Sequence, residues 1–384
     1  MRIGIDISTV LNHGQDIGSG RYIINLIRNL LKIDKENTYA LTGRYATGEH
    51  LPVIHALKSN YPENKIKLYL YQTTSKKLKL WDKLRFPTVE FLGFRADIIH
   101  CPDFLIPPTL SRNIVLTIHD LAFIRFPEFN FDWFIKKYSG EVKKNVYISK
   151  KIIADSESTR NDIVSFFGID PAKVEVVYLA ADNIFRKLSE KEKNMDVLKK
   201  YKINKKYILS AGTIEPRKNF VALIRAFNNI KQSKTGYGYK LVIVGRTGWK
   251  SEVTYQEREN SPYRDDILFT GRIPDQDLVQ IYNQAELFVY PSFFEGFGLP
   301  PLEAMSCGLP VIAFNTSSLK EVVGDAGILV TAGDESKLEN QLLHVLENEV
   351  VKEELSTKSL IRVKKFSWEE TAQKTLDIYN KITL

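Results

Sequence analysis

Tyr290-Pro-Ser-Phe-Phe-Glu295-Gly296-Phe297-Gly298-Leu299-Pro-Pro-Leu-Glu303-Ala-Met-Ser-Cys-Gly308 is the stretch whose reading decides the fold. An apolar strand ends at Tyr290, a glycine-rich loop follows, and a short helix starts near Pro300 and Pro301. Proline suits a first helical turn and glycine the residue just past the last one, so Gly308 marks the stop. A helix N-terminus offers backbone N–H groups and the positive end of a dipole, and glycine lets a ligand approach the main chain closely. Together they suit a phosphate. Glu303 falls about one turn into the helix, where its carboxylate can accept two sugar hydroxyls, and Glu295 precedes the helix on the loop.

The same strand–turn–helix grammar recurs upstream in Ser210-Ala-Gly212-Thr-Ile-Glu-Pro-Arg217-Lys218-Asn-Phe220. It sets two adjacent cations at a strand's carboxyl end. Arginine supplies a forked donor and lysine a point charge, a pair suited to a pyrophosphate and to the charge growing on a departing one. The same cations on a first helical turn would be slightly disfavoured by the dipole. Outward from these motifs, short β-rich runs alternate with segments of helical period, which predicts βα units and parallel sheets. In the first half the expected strands are 3–7, 38–41, 65–71, 98–100, 113–118, 151–154 and 174–177. In the second they are 207–211, 240–244, 267–270, 287–290, 310–314 and 328–330. Residues 21–33 place Ile23, Ile24, Leu26, Ile27, Leu30 and Leu31 on one helical face.

The chain has 384 residues, which at roughly 150 per domain predicts two. We place domains at 1–183 and 184–366, with a charged run at 186–200 after the boundary and a C-terminal helix, 367–384, packing back toward the first. With 43% hydrophobic and 26% charged residues, the sequence is that of a globular protein and excludes a disordered chain. Cys101 and Cys307 alone cannot form a disulfide framework or a thiolate zinc site, and a reducing, cytosolic setting fits. The N-terminus lacks an apolar signal core, and no apolar run reaches the roughly 18 residues of a spanning helix.

With Val242-Ile-Val-Gly245 and Leu268-Phe-Thr-Gly-Arg272-Ile273-Pro-Asp-Gln-Asp-Leu278 added, the second half resembles the retaining glycosyltransferases of family 4, whose fold is GT-B. The match centres on an E-x7-E pattern, Glu295 and Glu303, after a Tyr-Pro-Ser strand end. The resemblance implies an α/β protein of two facing Rossmann-like, doubly wound domains with a cleft between them: an acceptor domain first and a nucleotide-sugar donor domain second. It implies that Glu303 binds the donor ribose and Glu295 the donor sugar. The loop Gly296, Phe297, Gly298 and Leu299 would hold the sugar and distal phosphate. Arg217 and Lys218 would clamp the pyrophosphate beside Gly212, Lys218 being the steadier member in the family. Arg272 and Ile273 would receive the base through their backbone.

In the first half, Gly14-Gln-Asp-Ile-Gly18-Ser-Gly20-Arg21 looks like the family's loop facing the donor phosphates, and Thr117-Ile-His119-Asp120-Leu121 is similar to its His-Asp pair beside the transferred sugar. Ser156-Glu-Ser-Thr159-Arg160 also resembles a family segment, but a helix N-cap explains it fully. The implied reaction moves a hexose from a nucleoside diphosphate, of GDP-mannose or UDP-glucose type, to a glycan or lipid-linked acceptor in cell-surface polysaccharide synthesis. It proceeds without a cofactor, and with no DxD-like motif it requires no metal. Front-face substitution is expected, since no pair of carboxylates is clearly committed to a covalent intermediate.

The net charge of +8 is uneven. Residues 58–85 carry eight cations against Glu63 and Asp82, interleaved with Tyr69, Tyr71, Leu78, Leu80, Trp81 and Leu84, and residues 136–151 form a second basic stretch. Basic residues among aromatics suit an anionic membrane. This predicts a cytoplasmic protein peripheral on the membrane's inner face, with a solvated surface as the alternative. A GT-B epimerase or glycan phosphorylase is the rival enzyme class. A nucleic-acid binder has only the charge in its favour, with no helix-turn-helix, RRM or zinc signature.

Overall fold

Strand pairing in a computed structural model, which describes residues 1–15 and 17–383, gives thirteen strands in two parallel sheets among those residues. The first sheet comprises β1 (Arg2–Asp6), β2 (Thr38–Tyr45), β3 (Ile66–Gln72), β4 (Ile98–Cys101), β5 (Ile114–Ile118), β6 (Lys151–Ala154) and β7 (Val174–Val176), ordered β3-β2-β1-β4-β5-β6-β7. The second comprises β8 (Tyr207–Ala211), β9 (Lys240–Val244), β10 (Ile267–Gly271), β11 (Leu287–Tyr290), β12 (Val311–Phe314) and β13 (Ile328–Val330), ordered β10-β9-β8-β11-β12-β13. Every expected strand forms, with ends shifted by a residue in most cases; β2 runs on to Tyr45.

The strands are near-continuous apolar runs because helices cover both faces of each sheet. In the second sheet the alternation is clean. Ile208, Leu241, Leu287, Val289 and Ile312 enter one core layer, and Leu209, Val242, Phe288 and Val311 enter the other. Both sheets reverse their strand order at one point, between β1 and β4 and between β8 and β11. In such sheets the loops leaving the carboxyl ends of those two strands diverge to opposite faces and open a ligand crevice.

The chain divides into two compact units, one of Met1–Ile124, Asp132–Leu179 and Ser367–Leu384, the other of Arg125–Phe131 and Ala180–Phe366. The second unit takes up the chain at Ala180 rather than at 184, and it also claims an earlier segment. Seven residues of the first half, Arg125–Phe131, belong to the second unit. There the rings of Phe126 and Phe129 lie 5.7 and 5.9 Å from those of Phe294 and Phe293. Trp249 Nε1 donates to the Phe129 carbonyl at 2.7 Å, and Lys250 Nζ to those of Glu128 and Asn130 at 2.7 Å each. The charged run 186–200 ends in the helix Met195–Lys200, and Phe185, Leu188 and Leu198 are buried in the second unit's core.

In the first unit the helix Trp368–Thr383 packs on the helix Gly18–Ile33. Its Tyr379 hydroxyl lies 2.6 Å from His100 Nδ1, while His100 Nε2 meets the Thr117 hydroxyl at 2.8 Å, and Thr117 meets Tyr22 at 3.1 Å. Burial pushes His100 down to about 3, so this ring is neutral and structural. No helix among the described residues is long and apolar enough to cross a membrane.

Candidate functional site

The switch point of the second sheet gathers the chemistry there. β8 and β11 are hydrogen-bonded neighbours, with Leu287 opposite Ile208. The loop after β8 therefore meets the loop after β11, although Lys218 and Glu295 are 77 residues apart. After β8 the chain makes a tight turn, Pro216–Lys218, and Asn219 (φ 52°) separates it from the helix Phe220–Ile230. The cations thus stand just ahead of that helix, at the positive end of its dipole, rather than on its first turn. After β11, Gly298 adopts φ 105° and caps the helix Leu299–Ser306; a Cβ there would also come within 2.9 Å of Leu319, so only glycine fits.

The two loops close on one another through Glu295. Its Oε1 accepts from Lys218 Nζ at 2.6 Å and from the Ser292 hydroxyl at 2.6 Å, and its Oε2 accepts from Arg217 Nη1 at 3.0 Å. Lys218 Nζ donates also to the Tyr290 hydroxyl at 2.7 Å, and Arg217 Nη2 to Glu215 Oε1 at 2.7 Å. Glu215, Lys218 and Glu295 are all buried. Burial opposes ionisation of Glu295, but the Arg217 and Lys218 charges outweigh it and hold the carboxyl at about 2. The cations expected to stand ready for a pyrophosphate are therefore already paired with carboxylates, two against two. An incoming anion must compete with Glu295.

Sequence reasoning missed Glu215, Ser292, Tyr290 and a row of hydroxyls after β12. Thr316 Oγ1 donates to the Ser292 carbonyl at 2.9 Å, Ser317 Oγ accepts from the Glu295 N–H at 2.8 Å, and Ser318 Oγ bonds the Glu295 and Phe297 carbonyls at 2.9 and 2.7 Å. These bonds fix the 292–298 loop on an adjacent strand end. The signal was present in Asn315-Thr-Ser-Ser318, a polar run at the end of a strand neighbouring β11. Glu215 Oε2 is buried with no hydrogen-bond partner among the described residues.

The other sequence candidates of this unit are placed as follows. Glu303 is buried on the helix Leu299–Ser306, and its Oε2 accepts from the Tyr282 hydroxyl at 3.1 Å. Gly296 and Phe297 are buried in the loop, and Leu299 is half-buried at the helix start. Gly212 lies under the Lys218 side chain at the end of β8. Arg272 is exposed just past β10, at the edge of the sheet, while Ile273 sinks into the core beside Leu278 and Tyr282.

In the first unit, Gly20 is required by packing, since a Cβ there would sit 2.1 Å from the Gly14 carbonyl oxygen. Gly18 opens the helix Gly18–Ile33 and faces open space, so sterics do not demand glycine. Asp16, within the same stretch, lies outside the described residues. Ser156 accepts from the Thr159 N–H at 3.0 Å, a helix cap as expected.

His119 follows β5. Its Nδ1 lies 2.7 Å from Asp155 Oδ2 and its Nε2 3.2 Å from the Pro102 carbonyl oxygen. Both ring nitrogens face acceptors, so the arrangement holds an imidazolium. Burial alone would lower its pKa, but the Asp155 charge and hydrogen bond raise it to about 9, from 6.5. A raised cationic pKa gives stability fully present below about pH 6.5 and lost as pH climbs through about 9. Melting temperature should therefore fall across that window, and Asp155→Asn should flatten the fall; an unchanged alkaline slope in the variant would refute the pairing.

No group of three or more His, Cys, Asp or Glu side chains placed to hold a metal ion occurs among the described residues. Residues 18–183 match the family described as Glycosyltransferase Family 4, and residues 190–360 match glycosyl transferases group 1. O-antigen chain mannosyltransferase B of Escherichia coli is 30% identical over 366 residues, covering 94% of this chain and 95% of that protein. A serotype-specific mannosyltransferase, WbdA, of Escherichia coli is 32% identical over 238 residues, 60% of this chain but 29% of the relative. Among solved structures, sucrose-phosphate synthase from Thermosynechococcus elongatus superposes with a TM-score of 0.76 at 17% identity, over 100% of this chain and 99% of that one. HepE of Anabaena, in complex with UDP and glucose, gives 0.75 at 17% identity over 99% and 100%.

Proposed function

The chain belongs to glycosyltransferase family 4 and has the GT-B fold, and on that premise we propose that it is a retaining hexosyltransferase. The sugar is mannose, delivered from GDP-mannose, and the acceptor is a glycan or lipid-linked hydroxyl in cell-surface polysaccharide synthesis. The mannosyltransferases among the relatives support that choice. A UDP-glucose-type donor is the second arm of the test.

The observation that carries this reading is the Arg217–Lys218–Glu295 cluster at the switch point of the second sheet. In the proposed reaction the bond from the sugar's anomeric carbon to the phosphate oxygen breaks as the acceptor oxygen bonds the same face. The acceptor proton passes to the departing phosphate. Arg217 and Lys218 stabilise the charge that grows on that phosphate, and the loop 296–299 orients the sugar. Glu303 takes the ribose, and the backbone around Arg272 and Ile273 takes the base. His119, an imidazolium with donors only, serves as a hydrogen-bond donor rather than as a base: Asp155 keeps its Nδ1–H, and its Nε2–H exchanges the Pro102 carbonyl for a substrate hydroxyl. A place on the inner face of an anionic membrane is part of the same reading.

Two cations supply the charge stabilisation a divalent ion could otherwise give, so transfer is expected to survive excess EDTA within about twofold. Donor binding is checked by a melting panel of nucleoside diphosphates and their sugars. A saturating match should raise the melting temperature by about 5 °C. A panel with no shift, or a shift that appears only with added metal, would overturn the proposal.

A further inference from the structure

The basic stretch of the first unit folds into a surface whose chemistry is more specific than its charge. The helix Ser75–Leu84 buries no residue. Trp81 and Asp82 tie it to the protein: the Trp81 ring lies 6.0 Å from that of Tyr71 and its Nε1 donates to the Pro87 carbonyl at 2.5 Å. Asp82, the helix's one acidic residue, is occupied by an ion pair with Arg44. On the outer face Lys76, Leu80 and Leu84 follow one another at i, i+4 spacing, with Lys77 and Lys83 alongside. All five are exposed, Leu80 at 53% and Leu84 at 61%.

The chain then presents two aromatic tips. Phe86 and Phe91 are 61% and 68% exposed, yet their rings lie 5.6 Å apart, so they form one apolar point. The turn that carries Phe91 is firmly anchored. Val89 and Phe94 on either side of it are fully buried, and Phe94 N–H donates to the Val89 carbonyl at 3.0 Å. Glu90 accepts from the Thr109 hydroxyl and, at 3.1 Å, from the Leu110 N–H, which brings exposed Leu110 beside the same turn. Arg85 donates to the Ile106 and Pro107 carbonyls at 2.8 and 3.3 Å. The same turn that buries two apolar side chains thus holds others outward in water.

We infer that Leu80, Leu84, Phe86, Phe91 and Leu110, together with the lysines of the helix Ser75–Leu84, dock on an anionic lipid bilayer. The apolar tips enter the boundary between headgroups and acyl chains, and the lysines meet the negative headgroups. The charge pattern selects a bilayer, because four exposed lysines stand beside two exposed leucines on one helix whose single acid is already paired with Arg44, which joins a cationic and an apolar surface as an anionic lipid interface requires. The long apolar side chains between them serve little purpose on a nucleic-acid backbone. This deepens the proposed function, since it would bring a lipid-linked acceptor to the unit that carries His119, and it rests on that reading for its purpose only.

The test is flotation of the full chain with vesicles of equal parts phosphatidylglycerol and phosphatidylcholine, and with pure phosphatidylcholine. The expected result is binding to the first and not the second, weakened by salt. The double variant F86S/F91S should partition at least about tenfold less, and K76E/K77E likewise, both with unchanged melting temperature. Failure of the wild type to float with anionic vesicles would overturn the inference, as would equal flotation of F86S/F91S or tighter binding to a single-stranded oligonucleotide than to the vesicles. Transfer to a soluble glycan acceptor separates the two readings. Its absence in the wild type counts against the transferase proposal and leaves flotation as an independent result, whereas F86S/F91S should keep it.

Discussion

Lys218→Ala is expected to lower kcat/KM for sugar transfer by about 1,000-fold. One charged donor aimed at a developing oxyanion in a dry site contributes about 3 to 4 kcal/mol to transition-state stabilisation. Lys218 is buried, its ammonium is fixed by Tyr290 and Glu295, and it stands at the β8 end where its partner loop meets it. A cation so placed needs little reorganisation as the phosphate departs. Removal has a second consequence, because Glu295 then loses one of the two cations that hold it and keeps the other, Arg217. Lys218→Arg separates the effects: it restores the charge but not the point geometry, and should recover part of the rate. Steady-state rates with saturating acceptor give the comparison. A Lys218→Ala enzyme within tenfold of the wild type would remove this lysine from the chemistry.

Glu295→Gln carries the second large expectation, and its two parts run in opposite directions. Transfer should fall by about 100-fold or more, because the proposed contact to the donor sugar loses its charge. Binding of GDP and UDP without a sugar should tighten by about five- to tenfold. The Glu295 carboxylate holds both cations, so a phosphate must displace it, and the amide competes less well. Calorimetric titration of the nucleoside diphosphates reads this directly. Weaker binding in the variant would show that Glu295 supports the phosphate site rather than competing for it. The acid limb gives an independent check. Since Glu295 is held at about 2 against an ordinary 4.5, its pairing stabilises the fold above about pH 4.5 and is lost as pH falls toward 2. The variant should lack that loss.

The two sheets were legible from sequence because buried parallel strands are written as short β-branched runs with sharp glycine and proline boundaries. Tyr207–Ala211, Lys240–Val244, Leu287–Tyr290 and Ile328–Val330 coincide with their expected limits for that reason. The pairing of Glu295 with Arg217 and Lys218 was not legible. Each residue could be assigned to a strand end, but which strand ends are neighbours is settled by sheet order, and β8 lies beside β11 rather than β10. Reading the cations as free followed from treating the two motifs separately. The transfer of Arg125–Phe131 to the second unit was hidden for a related reason. Phe126 and Phe129 look like residues of an ordinary loop, and their partners Phe293 and Phe294 are more than 160 positions away. Asp155 was passed over because its neighbour Ser156 explained the segment as a cap, whereas the carboxylate beside it sets the charge of His119.

The most direct measurement is a product analysis. The protein is incubated with GDP-mannose, or in parallel UDP-glucose, and a mannose-containing oligosaccharide acceptor, and the product is examined by mass spectrometry and by the anomeric proton coupling in its NMR spectrum. The account predicts an acceptor longer by one hexose per transfer, release of the nucleoside diphosphate, and the same anomeric configuration as in the donor, all abolished in Lys218→Ala. An acceptor unchanged while the nucleotide sugar is epimerised or hydrolysed, or a product of inverted configuration, would contradict it.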